Sequence, residues 1–132
     1  MGIILDTCVF IQAERQKQSL DYEALDKFGN VYISAVTVSE LLLGVHKANS
    51  EKRRLKRSAF VENILSEIPV LNFNMEVARL HAEIYNYLSD DGNLIGAHDL
   101  IIAATALTNA CGILTTNTKE FERVPGLTVI PL

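Results

Sequence analysis

Short apolar runs alternate with longer amphipathic segments along this chain. The runs IIL (3–5), VYIS (31–34), IPVL (68–71), GILTT (112–116) and LTVIPL (127–132) are strand-length and rich in Ile or Val. Each is bounded by turn or polar residues, the pattern expected of buried parallel strands. Between them, residues 36–48, 51–67, 75–88 and 99–109 show helical periodicity. The stripe in 51–67 is Phe60, Val61, Ile64 and Leu65; in 75–88 it is Val77, Ala78, His81, Ile84, Tyr85 and Leu88. Strands alternating with helices predict an α/β fold whose mostly parallel sheet is covered on both sides. The 132 residues contain no linker, repeat or low-complexity stretch, so one domain over 1–132 is expected.

Sheets of this kind bind ligands at the carboxyl ends of their strands, where strand order reverses. Asp6 directly follows the first run, and Thr116 and Asn117 close the fourth. If those strands are neighbours, all three line one crevice. Asp6 is also odd in itself. In GIILDTCVF (2–10) it is a lone carboxylate among mostly apolar residues, with no Lys or Arg within four positions. Glu40 in VTVSELLLG (36–44) and Asp99 in IGAHDLIIA (95–103) share that context. No basic residue lies at helical spacing from Glu40, and the only titratable neighbour of Asp99 is His98.

A carboxylate in apolar surroundings is costly unless it is paired or holds a metal. Three brought together repel, and a divalent cation resolves the repulsion. Mg²⁺ and Mn²⁺ favour oxygen ligands, activate water and offset phosphoryl charge. The trio therefore points to metal-assisted phosphodiester hydrolysis. Each acid singly also has a structural reading. Asp6 can cap a helix, Asp99 can complement a helix dipole, and Glu40 can point into solvent.

Composition narrows the classes. Hydrophobic residues are 48% and charged residues 21%, ordinary for a globular protein. No apolar run of membrane-spanning length and no leader pattern is present, so no membrane association is expected. Cys8 and Cys111 lack CxxC spacing and read as reduced thiols, which implies a cytoplasmic protein. The net charge of −4 hides a basic cluster, EKRRLKR (51–57), which is either a phosphate contact or a solvated helix face. His46 has no partner at metal spacing, which argues against zinc. His98 can move a proton for Asp99 or be structural, and His81 reads as core or interface. Neither GxGxxG nor GxxxxGK[ST] occurs. Cys8 stands where a phosphoaspartyl phosphatase needs its second acid, and IPVLNFN lacks the aspartate of a receiver domain.

The segments ILDTCVFI, ISAVTVSELLLGV, IGAHDLIIAATAL and LTTNTKEFERVPGL span nearly the whole chain. In that order they resemble the signature blocks of PIN-domain ribonucleases, most closely the VapC-type toxins of type II toxin–antitoxin pairs. Residue by residue, the resemblance makes Asp6, Glu40 and Asp99 the metal-site acids. It leaves Asn117 or Glu120 for the fourth position of the catalytic set. It makes Thr7 a hydroxyl that positions water and Thr116 a strand-end threonine hydrogen-bonded to an acid. Cys8 stands where the family often has serine.

The resemblance further implies a three-layer α/β/α fold around about five strands. It implies Mg²⁺- or Mn²⁺-dependent endonucleolytic cleavage of RNA by a metal-activated water. It implies a homodimer and a VapB-like antitoxin that lays a peptide over the acidic site. The departure at the fourth acidic position keeps two alternatives open: a catalytically weak PIN domain that binds RNA or a partner, and a DNA nuclease using the same acids.

Overall fold

Each of the five apolar runs contributes one strand to a single sheet. The structure, a computed structural model, describes residues 1–132. The strands are β1 (Gly2–Leu5), β2 (Val31–Ser34), β3 (Val70–Leu71), β4 (Cys111–Thr115) and β5 (Val129–Pro131). Their order is β3-β2-β1-β4-β5, and every pair is parallel. The sheet is therefore wholly parallel where a mostly parallel one was expected. Such a sheet has to be covered on both faces.

The helices are α1 (Thr7–Arg15), α2 (Tyr22–Leu25), α3 (Ala35–His46), α4 (Glu51–Glu67), α5 (Met75–Asp90), α6 (Ala97–Thr108) and α7 (Thr118–Phe121). Period-two alternation along the strands sorts the core into two layers. Ile4 and Ile113 pack with Val77, Ile84 and Leu88 of α5 and with Leu100 and Ile102 of α6. Ile3, Leu5, Ile33 and Leu114 pack with Val9 and Phe10 of α1, Leu41 of α3, and Val61 and Ile64 of α4. This is the three-layer arrangement expected.

The four helices expected from periodicity are α3 to α6. The short ones, α1, α2 and α7, go beyond that pattern. CVFI (8–11) reads locally as more strand, yet Val9, Phe10 and Ala13 are buried on one face of a nine-residue helix. Its start is set by Asp6, whose side chain accepts the Thr7 N–H. Ser34, Ser50 and Asn74 cap α3, α4 and α5 by accepting the N–H three residues on. No helix is long and apolar enough to cross a membrane.

From β1 the chain first builds outward through β2 and β3, then returns to build β4 and β5 on the other side. Strand order thus reverses between β1 and β4. The carboxyl ends of these two strands flank a crevice, and there the chain places Asp6 and the segment after Thr115.

Candidate active site at the strand carboxyl ends

Asp6 is 6% exposed and tied on both oxygens. Oδ1 accepts the Thr7 N–H at 2.8 Å, and Oδ2 accepts the Thr115 hydroxyl at 2.7 Å. The Cys8 thiol lies 3.4 Å from Oδ2. Asp6 is therefore both the cap of α1 and a strut between β1 and β4. Thr115 in turn accepts the Asn117 N–H at 2.9 Å.

The threonine that holds an acid is thus Thr115, which corrects the expectation for Thr116. Register is the reason. Leu5 pairs with Leu114, so the next residues, Asp6 and Thr115, stand side by side. Thr116 is exposed and gives only its backbone N–H, to the Cys8 sulfur at 3.4 Å.

Glu40 lies inside α3, and α3 is aimed by the end of β2. Its Oε1 accepts the Thr7 hydroxyl at 2.9 Å, and its Oε2 lies 3.5 Å from His98 Nδ1. The Thr7 hydroxyl, expected to position water, donates to this carboxylate and to Thr37 Oγ1. Asp99 stands in the first turn of α6, whose cap, Gly96, offers no side chain. Asn117 Nδ2 donates to Asp99 Oδ2 at 3.4 Å.

Burial pushes Asp99 up to about 7, helped by the charge of Asp6, a hydrogen bond with Glu120 and the charges of Glu120 and Glu40. Four acids distant in sequence therefore feel one another at one crevice. Both candidates for the fourth position stand at Asp99, Asn117 through its amide and Glu120 through its carboxyl. No lysine or arginine pairs with any of these acids.

No three His, Cys, Asp or Glu side chains stand as a ready-made ion cage. The donor set still fits Mg²⁺ or Mn²⁺. Mg²⁺ keeps several waters and takes one or two protein carboxylates with substrate phosphate. The site offers hard oxygens and an excess of negative charge that lacks a counter-ion. A cleft of about 340 Å³ opens beside them at Gly96, Ala97, His98 and Asp99.

The larger cavity, about 470 Å³, lies elsewhere, between the far end of α1 and α4. Glu14, Lys17, Tyr22, Arg53, Arg57 and Phe60 help line it. The EKRRLKR cluster therefore opens α4 at this groove. Arg57 is held by Glu14 at 3.0 Å and by the Gly44 carbonyl, while Arg54 is held by Glu51. His81 is half-buried, edge-on to Phe73.

Three residues of the site escaped sequence reasoning: Ser34, Thr37 and Thr115. Their hydroxyls are buried in the layer beneath Asp6 and Glu40. The spacing of Ser34 and Thr37, a cap residue followed by a hydroxyl three positions on, was the one available signal.

Comparison with known proteins agrees with this geometry. A family model described as PIN domain matches residues 3–127. Ribonuclease VapC1 of Rickettsia felis is 41% identical over 130 residues, covering 98% of this chain and 96% of that protein. The tRNA(fMet)-specific endonuclease VapC of Shigella flexneri is 34% identical over 128 residues, covering 96% and 95%. The crystal structure of VapBC2 from Rickettsia felis bound to a promoter DNA fragment contains a similar chain. It superposes with a TM-score of 0.89 at 27% identity, over 100% of this chain and 99% of that one.

Proposed function

Because the chain belongs to the PIN-domain family, we propose that it is a metal-dependent endoribonuclease, the toxin of a toxin–antitoxin pair. One observation carries the reading. Asp6, Glu40, Asp99 and Glu120 converge without a lysine or arginine partner where strand order reverses. An acidic cluster of that kind does little for stability and suits a hard cation facing a phosphodiester.

Asp6, Glu40 and Asp99 would hold the ion, with Asn117 and Glu120 flanking Asp99. A bound Mg²⁺ or Mn²⁺ would lower the pKa of water and offset charge on the phosphoryl oxygens. The chain's own residues do the rest. Asp6 is fixed by Thr7 and Thr115, so its free lone pairs keep one direction. Thr7 and His98 bracket the two oxygens of Glu40. Asp99, pushed up to about 7 by burial and by its acidic neighbours Asp6, Glu120 and Glu40, would have to be ionised to hold the cation. Hydrolysis then runs as in-line attack of water on phosphorus with departure of the 3′-oxygen.

The solved VapBC neighbours support a VapB-like antitoxin partner, and a basic side chain from it would match this acidic crevice. A homodimer acting in the cytoplasm, where Cys8 and Cys111 stay as free thiols, completes the reading.

The test is cleavage of total RNA, transfer RNA included, by antitoxin-free protein with Mg²⁺, Mn²⁺ or EDTA. Asp6→Asn and Asp99→Asn are run beside it. Discrete metal-dependent cuts lost in both variants support the proposal. No cutting by folded wild type, or equal cutting by the variants, overturns it. Cutting of DNA but not RNA assigns the same acids to a DNA nuclease.

A further inference from the structure

Beneath Glu40 lies a row of buried hydroxyls. Ser34 is 1% exposed, Thr37 0% and Thr7 7%. Thr7 Oγ1 is 2.9 Å from Glu40 Oε1 and 3.2 Å from Thr37 Oγ1, and Thr37 Oγ1 is 3.1 Å from Ser34 Oγ. Thr7 is the donor at both of its contacts. A hydroxyl has one proton to donate and two lone pairs. Thr7 spends its proton on the shorter, charged acceptor, the Glu40 carboxylate. Thr37 Oγ1 stands as the second acceptor for that same Thr7 proton. Thr37 in turn shares a hydrogen bond with Ser34, in which either hydroxyl can donate. The Thr7 hydroxyl is therefore held between Glu40 Oε1 and Thr37 Oγ1, and Thr37 is held by Ser34.

Local structure explains only one of these hydroxyls. Ser34 caps α3 by accepting the Thr37 N–H at 3.3 Å. The cap uses the backbone of Thr37, leaving its hydroxyl without a structural task. Thr7 needs no hydroxyl for capping either, since Asp6 caps α1. Burying a hydroxyl costs free energy unless it is bonded, and valine would fill position 37 at the same volume.

We infer that Thr37, with Ser34 behind it, is a positioning residue: it orients the Thr7 hydroxyl so that Glu40 is presented to the cation as a fixed carboxylate. The inference rests on Glu40 being a cation ligand, as proposed above. Thr37 touches neither cation nor substrate and acts through Thr7. Hydrogen bonds to ligating side chains typically set metal affinity by tenfold or more.

The experiment is calorimetric titration of the metal-free full chain with Mn²⁺ alone. Wild type, Thr37→Val, Thr37→Ser and Ser34→Ala are compared, with melting in EDTA as the check on folding. The expected result is Mn²⁺ binding roughly tenfold weaker in Thr37→Val, restored by Thr37→Ser, and weakened less, about threefold, by Ser34→Ala. If Thr37→Val does not fold, Ser34→Ala carries the same comparison. Unchanged Mn²⁺ affinity in the valine variant overturns the inference while leaving the nuclease reading intact. So does a serine variant as weak as the valine one, which would make the methyl group the cause. Wild type that binds no Mn²⁺ overturns both.

Discussion

Replacing Asp99 by Asn should make the metal-free protein more stable at neutral and alkaline pH while removing its activity. Asp99 is ordinarily an acid of pKa 3.8, and in the fold it rises to about 7. Between those values the folded chain holds a proton that the unfolded chain has released. Stability therefore falls as pH rises through that window, and the loss is complete above about 7. Taken whole, a rise of about three units is ~4 kcal/mol. Asp99 is only half-buried, so solvent screening reduces this to roughly 1–2 kcal/mol.

Asn is nearly isosteric, carries no charge beside Asp6, Glu120 and Glu40, and can still accept from Asn117. Melting in EDTA from pH 3.5 to 8 is the assay. Asp99→Asn should melt about 3–8 °C above wild type at pH 8 and level with it near pH 3.5. Mn²⁺ should raise the wild-type midpoint and leave the variant unmoved. Parallel pH curves for the two proteins in EDTA, or a variant less stable at pH 8, would refute the reasoning.

Other substitutions test neighbouring claims. Thr115→Val removes the donor to Asp6 Oδ2 and the acceptor of the Asn117 N–H; it should cost about 1–3 kcal/mol in urea melts and raise the Mg²⁺ needed for half-maximal cleavage at least tenfold. Arg57→Ala should lower stability by about 1 kcal/mol through loss of Glu14 and the Gly44 carbonyl. The salt dependence of RNA binding should stay unchanged, because that guanidinium is already engaged; a flattened salt slope would instead make the groove an RNA contact. Ala110 closes α6 at φ 54°, in the left-handed region, so Ala110→Gly should stabilise by roughly 0.5–1 kcal/mol in the same melts.

Much of the fold was legible because parallel strands buried on both faces must be apolar throughout. IIL, VYIS and GILTT could hardly be anything else, and the long amphipathic segments mark α3 to α6. The short helix α1 was marked only by the capping reading of Asp6, because CVFI carries strand-like residues whose role is set by the sheet they cover. Of the site, Asp6, Glu40 and Asp99 betrayed themselves as acids in apolar company without a basic partner.

The supporting hydroxyls gave no such sign. A threonine costs little in any local context, and only strand register decides whether its oxygen meets an acid. That is why the strand-end role fell to Thr115 in place of Thr116. The basic cluster read equally well as phosphate contact or solvated face; tertiary packing tied Arg57 to Glu14, and none of the acids of the site lines the groove they share.

By itself, the sequence determined the layers, the order of elements and the identity of the acids, because hydrophobic period and charge isolation are local properties of the chain. Tertiary structure alone decided that β1 lies beside β4, that Asn117 and Glu120 both reach Asp99, and that hydroxyls 34, 37 and 7 line up behind Glu40. Those facts depend on distances between residues up to about a hundred positions apart, and such distances are set by sheet register and helix docking.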